Sequence, residues 1–268
     1  MYAANMDIPQ DAPLAQLYHK NSCITEATDR ELAASIQRFA EGQHHGAVTC
    51  GRTWPAAPRI ALPLPKTLPI PNLALHKVLA QRRTIRSYSG KPFPYELLAS
   101  WLHHSYGVTA TVQPADESGM ALELRAAPSG GALYPIELYV GTLNCSGVAH
   151  GIYHYQAGQH VLEQLGDEHS ANILKSLVLT GLDESPGPAV VVILSASWAH
   201  TLEKYGERGY RIAHLDAGHV AQNLLLTATA LGFGACSLAG FYDLRIAKEL
   251  NLDAARDPVL YAVMAGMI

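Results

Sequence analysis

A pair of glycines set behind a proline and a serine, running directly into an alternating strand, narrows the architecture of this chain most. The stretch is Arg125-Ala-Ala-Pro-Ser-Gly-Gly-Ala-Leu-Tyr-Pro-Ile-Glu-Leu-Tyr139, in which Pro128 and Ser129 precede Gly130 and Gly131. Adjacent glycines leave backbone N–H groups uncovered and open to close approach. Ile136, Leu138 and Val140 then alternate with Glu137 and Tyr139, which predicts a strand with one apolar face. The loop is therefore anchored at its exit by a sheet. An ordinary turn uses the same residue types. What favours a binding loop is its company: an arginine cluster upstream and a small-residue stretch downstream.

At 268 residues and 49% apolar composition, the chain can bury a full core, as one domain with an extension or equally as two small domains. A net charge of −4 and a pI near 6.3 give no general attraction to nucleic acid or anionic membrane, so local basic clusters read as specific. Cys23, Cys50, Cys145 and Cys236 lack C-x-x-C spacing, which suggests neither a zinc site nor a disulfide framework and fits a reducing cytoplasm. His44-His45 and His103-His104 are adjacent pairs whose side chains point apart, so no metal site is expected. The N-terminus lacks a basic start followed by an apolar core. The longest apolar run, around Ala189 to Leu194, is too short to span a bilayer.

Residues 1–71 read as an N-terminal extension and residues 72–268 as the main domain. Thr28-Asp-Arg-Glu31 has capping-box spacing, and Leu32, Ile36 and Phe39 follow at helical intervals, predicting an amphipathic helix to Glu41. Six prolines (Pro55, Pro58, Pro63, Pro65, Pro69 and Pro71) favour an extended strap on the surface of the main domain, with a free linker as the competing view. Ile60, Leu62 and Leu64 would bury one edge of that strap. A helix through Leu73, His76, Val78 and Leu79 leads to Gln81-Arg-Arg-Thr-Ile-Arg-Ser-Tyr88. A second helix opens at Pro94 and ends at Gly107. A hairpin follows, Gly151–Tyr155 and His160–Leu165, and Ala189–Leu194 reads as a strand buried on both faces. Arg211–Leu231 is the central core helix, with Gly232 as its stop, and Val259–Met264 is a closing strand.

Arg82, Arg83, Thr84 and Arg86 place three guanidinium groups and a hydroxyl within five residues of a helix end. Arginine forks match phosphate oxygens, so a phosphate monoester is the natural ligand; a solvated basic helix terminus is the bland alternative. Ile85 and Tyr88 interleave apolar positions and draw the cluster toward the core. Leu231-Gly-Phe-Gly-Ala-Cys-Ser-Leu-Ala-Gly240 reads as a loop of bare backbone after the core helix. It is not a dinucleotide fingerprint, since it does not open a helix after a strand. Backbone of this kind suits the polar edge of an isoalloxazine ring, and a helix stop plus turn accounts for it equally well.

These three elements resemble, in order and spacing, the FMN-dependent nitroreductase superfamily over roughly Asn72 to Ile268. Arg125–Tyr139, G-I-Y-H-Y at 151–155 and H-L-D-A-G-H-V-A-Q-N-L at 214–224 are similar to the SagB/McbC-type azoline oxidases, which serve thiazole and oxazole formation in modified peptides. The resemblance implies an α+β nitroreductase-like fold, with a mostly antiparallel central sheet flanked by helices and the flavin at a homodimer interface. By matching position, Arg82, Arg83, Thr84 and Arg86 would take the FMN phosphate and ribityl end. Pro128, Ser129 and Gly130 would line the flavin from the other subunit, and Ser237, Leu238, Ala239 and Gly240 would flank the ring. Those oxidases carry a Lys-Tyr pair before the core helix, and Lys204 and Tyr205 stand there in this chain. An azoline ring must lose a proton from carbon and a hydride to flavin, and a lysine serves as base only if burial or a nearby cation lowers its pKa. Arg208 and Arg211 are candidates for that cation, and which of Lys204 and Tyr205 is the base stays open. Thr84 stands where many relatives carry serine, and Ala239 where simple nitroreductases often carry glutamate.

The resulting expectation is a cytoplasmic FMN-dependent azoline oxidase with oxygen as terminal acceptor. Its substrate would be peptidyl or carried on a nonribosomal synthetase, and cyclodehydratase or synthetase partners are implied. The alternatives are an NAD(P)H-dependent nitro or quinone reductase and a flavin-holding scaffold subunit of a heterocycle synthetase.

Overall fold

In the computed structural model the described residues are 13–25, 28–41, 51–63, 67, 73–113, 121–178 and 186–268. Leu64, Pro65, Pro69, Pro71, the His44-His45 pair, Cys50 and the boundary near Asn72 lie outside them.

The long apolar alternations of the sequence assemble into one seven-stranded sheet. Its strands are β1 (Arg59–Ala61), β5 (Ile136–Thr142), β7 (Gly151–Gln156), β8 (Val161–Gly166), β9 (Val190–Ala196), β10 (Gly234–Leu238) and β11 (Val259–Gly266). The order across the sheet is β1-β8-β7-β5-β9-β11-β10 and every pairing is antiparallel. Short β2 (Phe93–Pro94) and β6 (Cys145–Ser146) pair in parallel, and β3 (Val108–Val112) pairs with β4 (Leu122–Arg125). Among the described residues the helices are α1 (Leu14–Asn21), α2 (Asp29–Glu41), α3 (Leu75–Gln81), α4 (Tyr95–Tyr106), α5 (Glu168–Leu177), α6 (Ala199–Tyr205), α7 (Arg208–Leu231) and α8 (Asp243–Glu249).

Because side chains alternate across a strand, each central strand feeds two cores. Ile136, Leu138, Val140, Val192 and Leu194 pack on one face against Leu98, Trp101, Val220 and Leu224 of α4 and α7. Tyr139, Val191, Ile193 and Met264 pack on the other face against Leu174 of α5 and Ile246 of α8. Trp101 Nε1–H donates to the Leu224 carbonyl at 2.8 Å, which fixes the α4–α7 crossing. Gly232 stops α7 in the left-handed region (φ 82°), where its N–H reaches back to the last turn. At about 36 Å, α7 is long enough to cross the whole sheet.

Two features depart from the sequence reading. The strap lies extended on the main domain with Leu62 buried, as expected, but it also supplies a strand, Arg59–Ala61 pairing with Val161–Glu163 at the sheet edge. Gly234–Leu238, read as a loop, forms edge strand β10, because Gly, Ala and Cys pair well but show no visible apolar alternation.

Candidate functional site

The glycine loop is held in an unusual shape by a carboxylate from α7. Ser129 Oγ donates to Asp216 Oδ2 at 2.6 Å and accepts the Tyr134 N–H at 2.9 Å, while the Gly130 N–H points at both Asp216 oxygens at 3.3 Å. Gly131 (φ 64°), Ala132 (φ 55°) and Tyr134 (φ 46°) all adopt left-handed backbone. For the two non-glycine residues this costs about 1–2 kcal/mol each, so the loop persists only because its surroundings over-determine it. Burial raises the Asp216 carboxyl above its ordinary range, against the hydrogen bonds of Ser129 and Gly130 and the nearby His219.

Lys204 and Tyr205, at the end of α6, pack directly on this loop. A Cβ at Gly131 would lie 2.6 Å from Lys204 Nζ and would overlap the Tyr205 hydroxyl. Lys204 Nζ lies 5.3 Å from the ring centre of Phe39 on α2 and 5.4 Å from that of Tyr205. No carboxylate pairs with it among the described residues. Burial lowers its pKa below that of ordinary lysine, whereas burial, with a contribution from Asp216, raises that of the Tyr205 phenol. Desolvation, not neighbouring cations, perturbs the amine. Arg208 and Arg211 turn toward α1, where Arg208 Nη1 donates to the Ser22 carbonyl and Arg211 to the Ser22 hydroxyl, which corrects their expected role beside Lys204. A cavity of about 290 Å³ between α1–α2 and the α6–α7 corner has Tyr205, Glu31, Ser35 and Arg208 in its walls.

The arginine segment runs along the outer edge of β10. The Ile85 N–H donates to the Ala235 carbonyl at 3.0 Å and the Ser89 N–H to Met267 at 2.7 Å. Tyr88 is buried, Ile85 and Arg82 are half-buried, and Arg83, Thr84 and Arg86 are exposed. The apolar residues anchor the segment while the guanidinium groups face outward. Arg86 lies beside the Cys236 thiol. Ser237 and Leu238 are half-buried, and Ala239 and Gly240 are exposed, with Ser237 Oγ 3.1 Å from the Tyr261 hydroxyl. The loop enters β5 and Ser237–Gly240 leave β10 at the same end of the sheet. Strands β9 and β11 intervene. Three strand spacings, about 14 Å, therefore divide the loop from Ser237–Gly240 within one chain, and the arginine segment, outside β10, lies a further spacing away.

Behind the loop lies a buried charge chain that sequence reasoning missed. His154 is 1% exposed and sits between Glu137 (Nε2–Oε2 2.9 Å) and Glu163 (Nδ1–Oε2 3.1 Å). Glu163 also holds Arg59 at 2.7 Å and the Trp54 N–H at 3.1 Å. Glu137 accepts the Arg52 N–H at 2.8 Å, and the Arg52 side chain pairs with Asp257 at 2.6 Å. Burial alone would lower the His154 pKa, but hydrogen bonds and charge from the two glutamates outweigh it and raise the value. Buried Arg125 lies over the Tyr106 ring at 4.6 Å and the Tyr134 ring at 5.2 Å. The chain thus clamps residues 52–59 of the strap to the sheet. Asp216 had a visible signal, being a carboxylate on the apolar stripe of α7 between Ala213 and Val220.

Comparison with known proteins bears on the fold and the family. The nitroreductase family description matches residues 79–267. A Methanocaldococcus jannaschii protein that carries the nitroreductase name is 36% identical over 183 residues, covering 68% of this chain and 87% of the relative. The microcin B17-processing protein McbC of Escherichia coli is 33% identical over 133 residues, 48% of this chain and 49% of McbC. The trifolitoxin-processing protein TfxB of Rhizobium leguminosarum bv. trifolii is 29% identical over 151 residues, 54% of this chain and 39% of TfxB. The chain spans about half the length, or less, of those two processing proteins. Among solved structures, a nitroreductase from Anabaena variabilis superposes with a TM-score of 0.71 at 24% identity, over 98% of this chain and 49% of that one. A chain of the E. coli microcin synthetase McbBCD complex with truncated pro-MccB17 bound gives 0.57 at 23% identity, over 97% and 98%. At such identities the superpositions speak for the fold, an antiparallel sheet covered by helices on both faces. Fold, family match and relatives agree: the chain belongs to the nitroreductase family.

Proposed function

We propose that this protein is an FMN-dependent azoline oxidase, converting thiazoline or oxazoline rings of a peptidyl or carrier-bound substrate to thiazole or oxazole, with oxygen as terminal acceptor. The observation that carries the reading is the packing of Lys204 and Tyr205 on Gly131. It gives an amine of lowered pKa and a neutral phenol at the loop that the family resemblance assigns to the flavin. Kinship with McbC and TfxB, named for processing microcin B17 and trifolitoxin, supports the substrate class.

The chain's own residues fit FMN by the chemistry of their donors. Arg82, Arg83 and Arg86 with Thr84 offer guanidinium forks and a hydroxyl to a phosphate, all half-buried or exposed along the β10 edge. Pro128, Ser129 and Gly130 offer a surface rimmed with backbone, and Ser237–Gly240 offer small residues and backbone donors. The resemblance gives Pro128, Ser129 and Gly130 to the flavin of the other subunit, and their distance in one chain from the arginine segment, four strand spacings or about 19 Å, agrees with a site completed by a second copy, hence a homodimer. Bound FMN supplies the two-electron acceptance that aromatisation requires. Lys204 as free amine takes the proton from the ring carbon, and Tyr205, kept neutral by burial and Asp216, donates a hydrogen bond that orients the substrate. Phe39 and Leu133 exclude water from that corner.

The second reading, an NAD(P)H-dependent reductase, draws on the nitroreductase name of the Methanocaldococcus relative. Incubation with a synthetic peptidyl thiazoline under oxygen separates the two. Loss of two hydrogens, abolished in Lys204→Ala with Tyr205→Phe, supports the oxidase. Undiminished product in the double variant removes Lys204 and Tyr205 from the mechanism, and no product beside rapid NAD(P)H oxidation sinks the oxidase.

A further inference from the structure

We propose that Phe39, on helix α2, is a positioning residue for Lys204, so that the N-terminal helices are part of the candidate site and not merely an appendage to it. The inference rests on the reading of Lys204 as the base. Phe39 lies well ahead of residues 79–267, the span of the family match, and nothing about that match assigns it a role.

The geometry is specific. On α2 Phe39 is the fully buried residue, at 2% exposure, on a helix whose other side chains are exposed or half-exposed. A lone buried aromatic on a surface helix normally plugs into the main core. This ring instead packs with Leu133 and Tyr205, apart from both cores of the sheet. It also meets the His200 ring edge-on at 6.3 Å and lies 5.3 Å from Lys204 Nζ. The helix is fixed in register against α6 by the Ser35 hydroxyl, which donates to the Glu203 carbonyl at 2.8 Å. Lys204 Nζ is thus bounded by the phenyl ring of Phe39 and by the bare backbone of Gly131. A glycine lets the amine reach the loop, and a ring keeps water from it.

The ring exerts two opposing influences. Its quadrupole favours the ammonium form and its bulk favours the free amine. Burial lowers the Lys204 pKa, and the Phe39 ring, 5.3 Å from Nζ, is part of what buries it. Among the described residues the ionisable groups around Lys204 are few. On α6 they are Tyr205 and, toward solvent, His200 paired with Glu203 at 3.5 Å. On α7 it is Asp216, whose charge acts on Tyr205. On α2 Arg38 is exposed next to Phe39, and the loop contributes only backbone and Ser129.

The test uses the full chain and reads the amine itself. Lys204 is titrated by pH-dependent acetic anhydride labelling with mass detection in the wild type and in Phe39→Ala, Phe39→Leu and Phe39→Tyr. We expect a depressed midpoint in the wild type and in Phe39→Tyr. In Phe39→Ala it should rise by about one unit, a tenfold smaller neutral fraction at neutral pH, with a smaller rise in Phe39→Leu. The rising limb of kcat/KM against pH for a peptidyl thiazoline should move by the same amount. Phe39→Leu keeps apolar contact and guards against loss of α2, which circular dichroism checks. Identical Lys204 midpoints in the wild type and in folded Leu and Ala variants would overturn the proposal. A shifted midpoint in a protein that never turns over an azoline supports the role of Phe39 and sinks the oxidase reading instead.

Discussion

Gly131 carries two constraints at once, a φ of 64° and no room for a Cβ between Lys204 and Tyr205. Gly131→Ala should therefore cost about 1–2 kcal/mol of stability in denaturant melts, from backbone strain alone. It should lower kcat/KM more than stability suggests, because the added methyl displaces both functional side chains. Unchanged turnover would show that Lys204 and Tyr205 work elsewhere. Asp216→Ala removes the acceptor shared by the Ser129 hydroxyl and the Gly130 N–H, at an expected cost of about 1–3 kcal/mol, with the loop melting before the sheet in hydrogen exchange. At this scale the sequence was half legible. Paired glycines announce that something comes close, but not what does. The approaching atoms belong to residues more than seventy positions downstream, and the Ser129–Asp216 contact spans 87.

Strands and helices were the more readable level, because apolar periodicity is written locally. Helices α4 and α7 and strands β5, β7, β8, β9 and β11 follow from it within a few residues. Glu137 did not follow. Alternation put it on a polar face, yet the sheet is covered on both sides, and the carboxylate survives burial by binding His154 and the Arg52 N–H. His154→Leu leaves two buried carboxylates without their common partner and should cost about 3–5 kcal/mol. The pH dependence has a definite sign. A raised folded pKa for His154 means that its contribution is complete below about 6.5, the unfolded value, and fades as pH climbs through the folded one. Glu163 is held below the ordinary carboxylate range, since His154, the Trp54 N–H and Arg59 outweigh its desolvation. Its contribution is present above the unfolded value and fades as pH falls through the depressed one. Chemical denaturation from pH 4 to 9 should show the wild-type advantage over His154→Leu shrinking at alkaline pH. A pH-independent gap would mean that the histidine is neutral.

At the level of the whole molecule, the separation of the arginine edge from the glycine loop makes assembly testable. Sedimentation should give a particle of twice 28.8 kDa. Arg82→Ala with Arg86→Ala should strip flavin absorbance on gel filtration, more readily in high salt, since each lost phosphate contact weakens binding about tenfold or more. A monomer with full flavin would defeat the shared-site reading. The outermost strand β1 has a further consequence. Arg59–Ala61 pairs with one rim of β8, yet it precedes the residue at which the family match begins. A polypeptide trimmed to residue 79 would expose a row of vacant amides and carbonyls there, and unsealed sheets recruit one another. Light scattering on such a fragment should report filaments or amorphous clumps, making this short prolyl tether a guard against self-adhesion.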